Sequence, residues 1–176
     1  MQPVLAIANV LRVAIDSILA QPGYAIYAKQ NYPRPAGDYA VIDFLADNQR
    51  GWEQSEWTDE SPDTSKETIR GYRELGFTIT AVGATSIDNS RKIRTGLTRE
   101  SIIELFKAMN IGLLTRSSVR EVSTPLDNGW EERSVLDVTV SAIGTDEDIV
   151  GVILSAFISG TFEFPSGIYL QEINIP

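Results

Sequence analysis

With 176 residues, 43% of them hydrophobic and 22% charged, the chain has the length and composition of one soluble globular domain with a real core. It has no cysteine and no histidine, which removes disulfides, thiolate chemistry, Ser-His-Asp and Cys-His catalysis and every histidine-based metal site. A net charge of −9 argues against a general nucleic-acid binder, yet suits an acidic surface that must not stick to DNA passing close by; plain solubility is the simpler account.

No apolar run approaches the roughly 20 residues that span a bilayer. Met1-Gln2-Pro3 leads straight into an amphipathic pattern carrying Arg12 and Asp16, without the basic region of a signal peptide. The expectation is a single domain over residues 1–176.

In chain order, the first element is a helix over about residues 3–20. Ile7, Val10, Leu11, Ala14 and Ile18 recur at helical spacing, Leu5, Val13, Ile15 and Leu19 widen the apolar sector, and Gln21-Pro22-Gly23 stops it. Gln30-Asn31-Tyr32-Pro33-Arg34-Pro35 is a stiff extended loop, because each proline fixes its own φ and biases the residue before it. It reads equally as a packed connector or as a partner contact.

Asp38–Asp47 alternates as a strand, with Ala40, Ile42, Phe44 and Ala46 on one face and Tyr39, Val41 and Leu45 on the other. Asn48-Gln49-Arg50-Gly51 predicts a turn into a strand over Trp52–Thr58, and the polar run at about 59–66 predicts a mobile tip. Leu75, Phe77, Ile79 and Ala81 give a second clean alternation.

The period then changes. Asp88–Leu97 predicts a short polar helix, and a stronger one runs from Thr98 or Arg99 to Asn110, with Thr98 as N-cap and Gly112 as stop. Leu113–Ser123 predicts a strand, and Pro125-Leu126-Asp127-Asn128-Gly129 turns the chain into its most apolar stretch, Trp130–Phe164. There Ser134–Ile143 and Ile149–Phe164 each have one apolar face, joined by the acidic link 144–148, which predicts a hairpin. The opposite face carries Ile153 and Phe157 among serines and threonines, so a helix of this chain or a neighbouring subunit should cover it. Long strands with helices gathered in two blocks imply an α+β fold: an antiparallel sheet with a long C-terminal hairpin, flanked by helices.

Chemistry is hard to place on this inventory. Asp43 and Asp137 are the carboxylates an acid–base mechanism would use, but a solvated face or an ion pair explains both. Gly71, Gly76 and Gly83 lack a phosphate-loop pattern, and Asp146-Glu147-Asp148 lacks EF-hand spacing. Arg91, Lys92, Arg94 and Arg99 form the one dense basic cluster, either the wet face of a helix or a surface for an acidic partner.

Gln30–Pro35 with Tyr39, then Ile111-Gly112-Leu113-Leu114, then Trp130-Glu131-Glu132-Arg133-Ser134-Val135-Leu136-Asp137, then Ile158-Ser159-Gly160 occur in that order. Together they resemble the tail or neck terminator proteins of tailed bacteriophages, over about Asn31 to Gly160. The resemblance implies an α+β structural protein of the virion, made in the host cytoplasm and placed at the head–tail junction. It implies a hexameric ring that ends the tail tube and joins it to the head-side connector or stopper protein. The ring meets the sheath in contractile tails, and DNA crosses its channel only as passing cargo. No cofactor, metal, membrane or enzymatic activity is implied. Asn31, Tyr32, Pro33, Arg34, Pro35, Arg133, Asp137, Ile153 and Phe157 are the candidate subunit or partner contacts. Another ring-forming head–tail component, stopper or tube-like, is the nearest alternative; an acidic carboxylate-dependent hydrolase is the one from a different class.

Overall fold

A computed structural model describes residues 4–31, 33, 35–61, 64–126, 129–151, 156–164 and 167–175, with the backbone alone from Gly151 onward. The fold is mixed α+β: three helices and a large, mostly antiparallel sheet, with a long strand hairpin at the C-terminal end. The contacts divide it into two compact units, Met1–Glu53 with Arg70–Thr145, and Gln54–Ile69 with Asp146–Pro176.

The first unit is built on helix α1, Val4–Leu19. Its wide apolar sector buries Ile7, Val10, Leu11, Ala14, Ile15 and Ile18. After Leu19 the chain reverses through Ala20 at φ 53° and Gly23 at φ 79°. The Asp16 carboxylate holds that reversal, accepting 2.9 Å hydrogen bonds from the Gly23 and Ala25 amides. Strand β1 (Ala25–Tyr27) then lies parallel to β2 (Tyr39–Ser61), with Ala25 opposite Ala40 and Tyr27 opposite Ile42.

Strand β3 is Thr64–Val82 and β8 is Arg133–Gly151; β4 (Gly112–Arg116) and the short β5 (Arg120–Glu121) both flank β8. The sheet order is β1-β2-β3-β8-β4. Leu75, Phe77, Ile79 and Ala81 of β3, and Leu136, Val138, Val140 and Ala142 of β8, are all buried, as the period-two pattern predicts. They meet Ile93 and Leu97 at α2 (Ser86–Gly96) and Ile102 and Phe106 of α3 (Glu100–Ala108), besides α1. The residues between them, Thr78, Thr80, Asp137, Thr139 and Ser141, are half-buried, while Leu45 and Ile143 are exposed. The core therefore lies on one side of the sheet. Ser134 pins α2 to β8: its Oγ lies 2.8 Å from Ser90 Oγ and 2.8 Å from the Ser86 carbonyl. Among the described residues no helix is long and apolar enough to cross a membrane.

Two expected turns are absent, for related reasons. Residues 48–51 stay within β2, because Asp47 and Arg50 reach across to Arg73 and Glu74 of β3, at 3.2 and 2.9 Å, and Gly51 absorbs the local irregularity at φ 75°. The acidic link 144–148 stays within β8. Arg73 lies against Gly144, where a side chain would collide with it, and Lys66 pairs with Glu147 at 2.7 Å, so cations of the neighbouring strand let the acidic run stay extended. The long hairpin therefore comes later than the pattern suggests.

Two smaller expectations also shift. Leu113–Ser123 divides into β4 and β5; between them the Ser117 amide donates to the Asp137 carbonyl at 2.8 Å and Ser117 Oγ accepts from the Asp137 amide at 2.9 Å. Arg99, with φ −68° and ψ 143°, is the N-cap of α3 in place of Thr98, whose hydroxyl donates instead to the Thr95 carbonyl at 2.9 Å.

In the second unit, the outer halves of β2 and β3 are joined by Ser65 Oγ donating to Asp59 at 2.8 Å and by Ser55 donating to Glu67. Strands β9 (Ala156–Phe164) and β10 (Gly167–Ile175) form the C-terminal hairpin, in antiparallel register from Gly167 opposite Phe164 to Ile175 opposite Ala156. Two short strands complete the chain in the first unit, β6 (Thr124–Leu126) and β7 (Gly129–Glu131), paired antiparallel.

Candidate assembly surfaces

Strand β1 is the last strand on its side of the sheet order, and residues 28–38 follow it to β2. Asn31 and Pro33 are exposed and Pro35 is half-buried; Tyr32 and Arg34 lie outside the described residues. Two shallow grooves of about 270 Å³ each flank this edge. One is lined by Tyr27, Lys29, Gln30, Pro33, Pro35 and Tyr39. The other opens between α1 and the sheet beside Val4, Leu5, Phe44 and Phe77, the two phenylalanines packed edge to face at 5.6 Å. Lys29 lines both and pairs with Asp43 at 3.0 Å.

Arg133 and Asp137 occupy outward positions of β8, alternating with buried Ser134 and Leu136. The structure gives each a partner within the chain. Arg133 pairs with Glu131, its Nε donating at 2.6 Å. Asp137 accepts from Thr78 Oγ1 at 2.8 Å and from Arg120 Nη2 at 2.6 Å. The two carboxylates singled out for acid–base work are thus both ion-paired, Asp43 with Lys29 and Asp137 with Arg120. Ile153 lies outside the described residues; Phe157 sits in β9 opposite Asn174, with its side chain also outside them. Among the described residues no group of three carboxylates could hold a metal ion.

Burial raises the Tyr24 phenol above its usual range, with the Asn89 hydrogen bond opposing the shift. Lys66 is also raised, chiefly by its hydrogen bond to Glu147. Both belong to the scaffold. The exposed positions are of another kind. Trp52 is 99% exposed, Trp130 72%, Leu45 59%, Trp57 57% and Ile143 56%.

Geometry thus shows a braced scaffold with apolar side chains standing outside it, and the comparisons name what kind of scaffold. A family model described as "Phage neck terminator protein" matches residues 6–164. The chain belongs to the phage neck terminator family. As a neck terminator it is a structural component of the virion tail and neck, with a tail-terminating role exercised against other tail and head components. Among curated proteins none matches the chain. Among solved structures it is similar to the type 4 fimbrial biogenesis protein PilO from Pseudomonas aeruginosa, at 12% identity and a TM-score of 0.20, over 60% of this chain and 58% of that one. A likeness that loose carries no inference about either fold or role.

For this neck terminator, sequence reasoning missed the partners of its motif residues. Arg120 lies 17 positions from Asp137 and Thr78 lies 59 away, and both meet it only through strand register. It also missed the exposed tryptophans. Their signal was present, since Trp52 and Trp57 sit in a run crowded with charge and amide side chains, where no apolar partner recurs at strand spacing.

Proposed function

We propose that the chain assembles as a hexameric ring that terminates the tail tube and joins it to the head-side connector or stopper protein, with DNA passing through the central channel. The family match over residues 6–164 carries this reading. Two features of the chain support it: the net charge of −9, which suits a channel that must release DNA, and the large apolar side chains exposed on a well-braced sheet. The segment Asn31–Pro35 is the proposed contact at the sheet edge, and Ile153 and Phe157 lie on a proposed subunit face. Arg133 and Asp137 serve the contact by holding the outward face of β8 in shape. The tail tube protein is the proposed partner on one side of the ring, the connector or stopper on the other, and the sheath its outer neighbour in a contractile tail.

Imaging of the head–tail junction of the native virion tests the ring. Six-fold density of this chain between tube and connector is expected; its absence there overturns the reading. Density at another level of the neck would instead assign the chain to a stopper or tube-like role. Ile153→Asp and Phe157→Asp test the subunit face: each should weaken assembly while leaving the unfolding midpoint within a few degrees of wild type. A variant that melts without a separate loss of assembly refutes that face.

A further inference from the structure

Trp52 stands almost wholly in water although it lies inside a strand. Its neighbours in the chain fix its place. Arg50 Nε donates to Glu74 at 2.9 Å, and a Cβ on Gly71 would lie 3.0 Å from Glu53 Cγ, so Trp52 falls opposite Tyr72. Tyr72 alternates in step with Thr78, and Ile143 in step with Asp137; the Thr78 hydroxyl donates to that aspartate at 2.8 Å on the face turned away from the core. Arg73 beside Gly144 sets Ile143 at the level of Tyr72. Tyr72 and Ile143 are exposed as well. The three side chains therefore form one apolar ridge across three adjacent strands, not apolar residues scattered singly.

The same compact unit carries a groove of matching character. Between α1 and the sheet, Val4, Leu5, Ala8, Phe44 and Phe77 line it, with Leu5 and Phe44 exposed at its lip. Its 270 Å³ is the space of about nine waters, enough for an indole ring. Asp43 also lines it, and its carboxylate can accept the hydrogen bond that a buried indole N–H needs. The chain's own Trp52 does not enter, since that side chain is in water.

We infer that Trp52 of one copy enters the groove between α1 and the sheet of the next copy, with Tyr72 and Ile143 closing over Leu5 and Phe44 at its lip. Ridge and groove are different surfaces, so the contact is head-to-tail: each copy gives one ridge and receives another, and the series closes into a ring. Burying the ridge removes on the order of 400 Å² from water, roughly half of what one partner contributes to a standard interface, which makes it the anchor of the contact. The inference rests on the ring assembly proposed above and names the contact that builds it.

Sedimentation velocity of the full chain over a range of concentrations tests it. Trp52→Ala and Leu5→Glu should each weaken self-association by about tenfold or more. Both side chains are exposed, so an unchanged urea midpoint will show that each variant is folded. A one-to-one mixture of the two should recover pairs that stop at two copies, because the Leu5→Glu chain brings an intact Trp52 to the intact groove of the Trp52→Ala chain. In a chain carrying Trp57→Phe and Trp130→Phe, the fluorescence of Trp52 should move to shorter wavelength as rising concentration drives assembly. If the wild type assembles and neither variant alters it, this contact is wrong and the ring reading stands. Losses in both variants without recovery of pairs in the mixture also refute the contact. A wild type that stays a single copy at every concentration overturns contact and ring together. If Trp52→Ala leaves self-association unchanged but removes the chain from assembled tails, Trp52 meets another tail component and the inference fails.

Discussion

Gly96 closes α2 where that helix packs on α1, and Gly96→Ala sets two effects against each other. A methyl group there would stand 2.5 Å from Ile18 Cγ2, 2.8 Å from Cγ1 and 3.0 Å from Cδ1. Carbon atoms in good contact lie at about 3.5–4.0 Å, so the whole Ile18 side chain must move, and it is only 8% exposed. Overpacking of this kind costs about 1–3 kcal/mol. Helix propensity favours alanine over glycine by about 0.5–1 kcal/mol, and by less at the last helical position. Packing should win, leaving the variant about 1 kcal/mol less stable, or about 2–4 °C lower in midpoint for a chain of this length.

Urea unfolding of a double-mutant cycle with Ile18→Ala isolates the cause. Ile18→Ala alone should cost about 2–4 kcal/mol through the space it leaves. In that background the Gly96 methyl has room, and Gly96→Ala should turn neutral or stabilising by about 0.5–1 kcal/mol. A stabilised single variant, or a cycle whose effects simply add, would refute the packing account of this glycine.

Gly83→Ala should be worse, about 2–3 kcal/mol by thermal unfolding, because Gly83 sits at φ 112° and its new methyl would overlap the Asp38 side chain that binds Thr85. Tyr24→Phe should cost about 1–2 kcal/mol at neutral pH by removing the acceptor of a 3.0 Å hydrogen bond from Asn89 Nδ2. The same variant tests alkaline behaviour. The phenol is raised in the folded state, so the native chain holds its proton while the unfolded chain releases it; the contribution is full below about pH 10 and fades as pH climbs toward the folded value. Urea midpoints of wild type should therefore fall above pH 10 more steeply than those of Tyr24→Phe, and parallel curves would refute the assignment.

Much of the scaffold was legible in the chain. Burial along 75–81 and 136–142 follows from period two, a local property of the strands, and α1 follows from helical spacing in the same way. The turns expected at 48–51 and 144–148 failed because turn signals are local too, whereas a polar run remains a strand when a neighbour neutralises it. Arg73 and Lys66 do that from β3, and nothing near Asp47 or Glu147 in the sequence announces them. The surfaces divide along the same line. The basic cluster at residues 91–99 was visible as composition, but the parallel pairing of Ala25–Tyr27 with Ala40–Ile42 became visible only in the register.

By itself, the amino-acid sequence determined the chemistry this neck terminator has to work with: no thiol, no imidazole, a strong negative charge, and alternating strands that must bury one face. It also carried the ordered motifs by which the family resemblance was read. Tertiary structure alone decided which strands are neighbours, with β8 set between β3 and β4, and hence which carboxylates are neutralised and which remain at the surface. The physical reason is one of range. Backbone geometry and side-chain alternation act between residues a few positions apart, whereas an ion pair such as Asp137 with Arg120, or an edge left uncovered, exists only after distant segments are brought into register.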